Sequence, residues 1–111
     1  MIEALWSVEF VANTQGLGTG VVVVENGKVL GGDAQYFYVG HCGFEKGVLQ
    51  AHVEITHYAG ESNSIFGAAD KFHIDVSGKT AKEKFILHGH VIGHPELKIS
   101  MNFTRRAELP S

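Results

Sequence analysis

Residues 18–42, GTGVVVVENGKVLGGDAQYFYVGHC, decide how this chain folds. An unbroken valine run, Val21 to Val24, enters Asn26-Gly27 and leaves through Val29 and Leu30 toward Gly31-Gly32-Asp33. A two-residue loop between right-twisted strands needs positive φ at both central positions, and Asn-Gly adopts that conformation at least cost. Glu25 then stands opposite Lys28. Counting outward, Val24 meets Val29 and Val22 meets Gly31 on one face, while Val23 meets Leu30 and Val21 meets Gly32 on the other. Both faces are apolar, so the core covers one and something else covers the other.

The rest of the chain bounds what this hairpin belongs to. Its 111 residues, 44% hydrophobic, suffice for one domain with a single core, expected over residues 1–106 with a flexible tail at 107–111. The one cysteine, Cys42, excludes an internal disulfide. The opening MIEALWSVEF has neither a basic stretch nor an uninterrupted apolar stretch of the secretory type, so the cytoplasm is the expected location. A net charge of -3, with only Arg105 and Arg106 adjacent, argues against direct nucleic-acid binding. No apolar run is long enough for a membrane span, and no membrane partner is expected.

Fourteen glycines, seven phenylalanines and short apolar alternations between turn residues predict an all-β chain of eight strands. They are expected at about 5–12, 19–25, 28–31, 35–42, 48–58, 71–77, 83–93 and 97–105. The connection 59–70 carries Ser62-Asn63-Ser64 ahead of Ile65 and Phe66, which suits one short helical turn near residues 61–68. Register is tested by the apolar pattern, because a one-residue slip exchanges inside for outside. Pairing Val76 with Phe85, Ile74 with Leu87 and Phe72 with Gly89 puts the apolar residues on one face. A turn at His94–Glu96 pairs Val91 with Ile99, Gly89 with Met101 and Leu87 with Phe103. A turn around Phe44–Gly47 pairs Cys42 with Leu49, Gly40 with Ala51, Tyr38 with Val53 and Tyr36 with Ile55.

Eight sequential antiparallel strands with one apolar face each close most naturally into an up-and-down barrel, which leaves no exposed edge. Its lumen wall is expected to be Trp6, Val8 and Phe10 of the first strand, Val22 and Val24 of the second, and Tyr36 and Tyr38 of the fourth. Val53 and Ile55, Phe72 and Ile74, Leu87, then Met101 and Phe103 complete it. Large rings alternate there with Gly20, Gly31, Gly40, Ala51 and Gly89, so a filled barrel and one holding an apolar small molecule both remain open.

GGDAQYFYVGH at Gly31–His41, then LQAHVEITHYAG, SIFG, and the FILHGHVIG and LKISMNFTR pair resemble the GrlR family. The likeness covers roughly Ile2 to Arg106, and its most specific pieces are Gly31-Gly32-Asp33 with the aromatic strand after it, and His57-Tyr58. It implies a calycin-like barrel, similar in plan to lipocalins, acting as a cytoplasmic homodimer. In the founding type the barrel binds a helix-turn-helix activator of type III secretion genes and keeps it from DNA. That type carries four acidic residues in the loop between its fourth and fifth strands. Here the matching partner loop is Phe44-Glu45-Lys46-Gly47, one acid beside one base, which departs from a grip on a basic activator.

Chemistry-bearing residues are few. The expected register sets His73 opposite His88 with His90 and Asp75 nearby, a donor set suited to zinc or nickel or to a pH-responsive patch, but on a convex wall without a cleft. No metal or cofactor is expected. His41 and Cys42 are strand neighbours pointing to opposite faces, so His41 cannot activate the thiol, and Cys42 reads as a core residue. Gly16-Leu17-Gly18-Thr19-Gly20 opens a strand with no helix N-terminus behind it to hold phosphate. No catalytic residue can be named, and no enzymatic activity is expected.

The outer face of the opening hairpin is the exception. Val21, Val23 and Leu30 share it with Phe37 and Val39, a contiguous apolar patch of the kind that marks an interface. The competing arrangement flips the fourth strand, with Tyr36 and Tyr38 outside. The sequence thus favours a non-catalytic regulatory protein that dimerises and captures a protein partner, with lumenal binding of a lipid-like molecule as the alternative.

Overall fold

In the computed structural model, which describes residues 2–13, 17–60 and 70–110, Asn26 and Gly27 take φ of 52° and 75°. This is the type I′ turn that the hairpin twist demands. The five pairs counted outward from it, Glu25 with Lys28 through Val21 with Gly32, are all present. From that hairpin the sheet continues on both sides until it closes. The strands are β1 (Ala4–Ala12), β2 (Leu17–Glu25), β3 (Lys28–Gly32), β4 (Tyr36–Glu45), β5 (Val48–His57), β6 (Lys71–Gly78), β7 (Lys84–Val91) and β8 (His94–Ala107). Each pairs antiparallel with its chain neighbours, and β1 pairs with β8. No helix occurs among the described residues, and the helical turn expected near 61–68 lies outside them. Ala107, expected in the tail, belongs to β8 opposite Leu5.

Three expected registers are corrected, each by an even number of residues. Between β4 and β5, Cys42 faces Ala51, Gly40 faces Val53, Tyr38 faces Ile55 and Tyr36 faces His57. The cause is a second two-residue turn, Lys46-Gly47, in which Lys46 takes φ of 53° and Gly47 81°. Between β6 and β7, Val76 faces Gly89 and Ile74 faces Val91. The first residues of β7, Lys84 to Leu87, pair with β8 alone, which is the stagger a closed barrel requires. Between β7 and β8, Gly89 faces Ile99, Leu87 faces Met101 and Phe85 faces Phe103. There the turn is Ile92-Gly93, and an irregularity at His90/Val91 leaves Pro95, Glu96 and Leu97 without partners on β7, the first of which has no N–H to give a ladder.

Because every shift is even, the inward set is unchanged and packs as one core. All fourteen residues expected on the lumen wall are at most 9% exposed. Trp6 stands at its centre, its edge on Phe85 at 4.9 Å and Phe103 at 6.0 Å, with its indole N–H donating to the Ile2 carbonyl at 2.8 Å. Phe85 and Phe103 stack at 4.7 Å. Such rings each bury roughly 150–250 Å² and dominate the packing of a small core. The interior bounded by Ile2, Val24, Leu49, Val76, Leu87 and Met101 retains a cavity of about 10 Å³, space for one water at most.

Asp33 ties the β3–β4 connection to the wall. One carboxylate oxygen accepts from the Gln35 and Tyr36 amides, each at 2.8 Å, and the other accepts from the Tyr38 hydroxyl. Its carbonyl accepts from the Tyr58 hydroxyl at 2.7 Å. Gly20 makes this possible, since a Cβ there would stand 2.6 Å from the Tyr38 hydroxyl oxygen. Burial, and then the hydrogen bond to Asp33, push the Tyr38 hydroxyl far above the ordinary tyrosine range.

Replacing Asp33 with Ala strands three donors and is expected to cost about 2–4 kcal/mol in urea unfolding; Tyr38→Phe should cost about 1–2 kcal/mol. A hydroxyl raised in the fold stabilises below its unfolded value near pH 10 and loses that contribution as pH rises further. The Tyr38→Phe variant should therefore lose less stability than the parent between pH 9 and 11. Equal alkaline losses would show that Tyr38 does not carry the effect.

Candidate functional site

Alternation along β2, β3 and β4 places two cross-strand rows on the outside of the barrel. Val23, Leu30 and Val39 form one row, and Val21, Gly32 and Phe37 the next. Val21 and Leu30 are each 49% exposed, Val39 47% and Phe37 41%, while Val23 is half-buried. The flipped arrangement of β4 is excluded, because Tyr36 and Tyr38 are buried inside. A residue the sequence reading missed joins the patch. Tyr58, just beyond β5, lies 6.0 Å ring to ring from Phe37 and is held there by its bond to the Asp33 carbonyl. The sequence marks it as the last residue of the fifth expected strand and through the His57-Tyr58 piece of the resemblance, but the carbonyl that holds it is 25 residues away in sequence.

The β4–β5 tip carries Phe44, Glu45 and Lys46, the loop expected to meet a partner. Phe44 is 56% exposed, with Glu45 and Lys46 exposed beside it. An open hollow of about 410 Å³ lies between Phe44, Ile2, Val24 and Leu49, with Cys42 at its wall. Cys42 is half-buried and points away from exposed His41, so the imidazole does not reach it. Burial pushes its thiol up, the opposite of what a nucleophile needs.

The histidines assemble differently from expectation. His73 does not face His88; it stands opposite Glu54, while His88 faces Ser77 and bonds Ser100 Oγ at 2.9 Å. The side chain that meets His73 is His52, Nε2 to Nδ1 at 3.2 Å, and His52 Nδ1 lies 3.2 Å from Asp75. The wall is also not featureless: His41, His52, Asp75, His88 and His90 line an open hollow of about 640 Å³. Among the described residues, no group of three or more His, Cys, Asp or Glu side chains is placed to hold a metal ion. Gly18 to Gly20 lie within β2 against β1, with no helix terminus behind them.

The comparisons with known proteins leave the chain on its own evidence. No protein-family model matches it, and no curated protein matches its sequence. What the geometry offers is an apolar patch, the Phe44 tip with its hollow and a histidine-bearing wall, on the outside of a barrel packed around Trp6.

The thiol makes a direct check of the inward placement. At pH 8, Cys42 should react with a disulfide reagent about threefold or more slower than a free cysteine peptide, and recover the peptide rate in urea. A native rate equal to the peptide's would place the thiol in solvent.

Proposed function

We propose that this chain is a non-catalytic interaction protein of the GrlR kind, a homodimeric barrel that captures a protein partner. The observation that carries the reading is the patch of Val21, Leu30, Phe37 and Val39, four bulky side chains 41–49% exposed across three adjacent strands. Scattered apolar residues on a surface mean little, but a contiguous group on a flat sheet face loses water when it meets a like face. A second copy supplies that face through a two-fold axis, each patch meeting its own image. The packing around Trp6 favours this use of the outer wall over storage of an acyl chain, since the cavity of about 10 Å³ has no room for one.

The resemblance at Gly31–His41 supports the same plan, and the β4–β5 tip is the surface that corresponds to the family's partner loop. Glu45 and Lys46 neutralise each other there, leaving exposed Phe44 and its apolar hollow as the grip. Such a tip suits a partner with an apolar anchor, for which a helix-turn-helix activator is the family's example. The reading places no chemistry on the protein and treats it as a regulator in the cytoplasm.

Light scattering tests the dimer. The parent is expected at twice the 12.0 kDa chain mass, and Leu30→Glu or Phe37→Glu at the single mass with unchanged circular dichroism. A parent of single mass, or variants that stay paired, would sink the dimer. For the partner, mass spectrometry of material captured from the native host should return a helix-turn-helix protein, and its absence would remove the activator from the reading.

A further inference from the structure

Two imidazoles face one another on the outer wall between two carboxylates. His52 Nδ1 lies 3.2 Å from Asp75 Oδ1, His52 Nε2 lies 3.2 Å from His73 Nδ1, and His73 Nε2 lies 3.5 Å from Glu54 Oε2. Lys71 Nζ is 3.8 Å from the other Glu54 oxygen. A carboxylate accepts and does not donate, so both outer ring nitrogens are satisfied only when they carry protons. The inner nitrogens then present two lone pairs to each other unless a proton lies between them. All four ring nitrogens have partners when the two rings hold three protons. With two, either a bare nitrogen faces a carboxylate or the lone pairs collide. With four, two N–H groups meet head on and the bridge breaks.

Charge follows the same count. Asp75 and Glu54 contribute two negative charges and Lys71 one positive, so the network totals −1, 0 or +1 as the rings hold two, three or four protons. Glu54 stands directly opposite Val39, and His73 directly opposite Glu54, so this network forms the rim of the apolar patch. We infer that His52 and His73 act as one proton-holding unit at that rim, making self-association strongest at the pH where a single bridging proton neutralises the network. The inference rests on the dimer proposed above. With the two-fold axis running along the β4–β5 side of the patch, beside Val39 and Glu54, each network lies next to its image, so a net charge of either sign repels. Other groups face the unit as well. His41 of β4 stacks on His52 with centroids 5.7 Å apart, and His90 of β7 stands opposite Asp75, so acid adds positive charge from both sides.

Isolated imidazoles change charge within roughly pH 5–8, which sets the window for the experiment. Sedimentation at constant ionic strength from pH 5 to 9 should give a dimer dissociation constant with a minimum inside that range. It should rise about threefold on either side, a modest effect because these side chains are 36–53% exposed and screened. His73→Gln and His52→Gln should each move the minimum to lower pH, because His41 and His90 must then supply the missing positive charge, without altering circular dichroism. Ring-nitrogen spectra of the parent should show both histidines changing together, and His73→Gln should alter the response of His52. A pH-independent constant in the parent, or a minimum left at the parent's pH in His73→Gln, overturns the coupling. A chain monomeric at every pH defeats the dimer reading and the coupling built on it, and the ring spectra then judge the pair alone: rings that change independently overturn the shared proton.

Discussion

Closure is the constraint on which everything else depends. An open sheet can absorb a slipped strand at its edge, but in a closed ring of eight strands each one must satisfy two neighbours, and β1 must meet β8 with its apolar side inward. The type I′ turn at Asn26-Gly27 sets the parity of β2 and β3 without freedom. Parity then propagates around the ring, placing Trp6, Ile74, Leu87 and Met101 together in a buried centre. The Asp33 carboxylate holds the one place where β3 stops and β4 begins, and it does so by binding a tyrosine that belongs to the core wall.

In the proposed reading a filled interior leaves the outer wall for binding. Barrels of this size hold either side chains or one small ligand, and here aromatic packing at 4.7–6.0 Å takes up the volume around Trp6. The outer wall is correspondingly uneven. One sector, over β2 to β4, is apolar; the next, over β5 to β7, carries the histidines and carboxylates. A single cross-strand row from Val23 through Leu30 and Val39 to Glu54 and His73 crosses their junction. The proposed association surface is thus bordered by imidazoles and carboxylates and is physically different from a uniformly apolar one. Its strength can depend on conditions without any change of fold.

The inward and outward sets were legible before any coordinates because side chains alternate with a period of two. That same period explains what was missed. A shift by an even number of residues moves no side chain through the sheet, so the apolar pattern does not detect it. Tyr38 is buried whether it faces Val53 or Ile55, and Val76 whether it faces Phe85 or Gly89. Turn chemistry resolves the remainder where it is strong, as in Asn26-Gly27, and fails where it is unusual. Lys46 in the left-handed region is such a case, as is the stretch from Pro95 to Leu97 without partners on β7.

The sequence by itself therefore determined an eight-stranded antiparallel barrel, its buried face and its exposed apolar patch, because those depend on alternation and on one favoured turn. Only the tertiary structure decided which residues stand opposite one another. That choice belongs to strand stagger and ring closure, which are properties of the whole sheet. His73 thereby meets His52 and Glu54 rather than His88, and Tyr58 comes to rest beside Phe37. The patch was written locally, whereas the charged rim beside it exists only because the ring closes at this register.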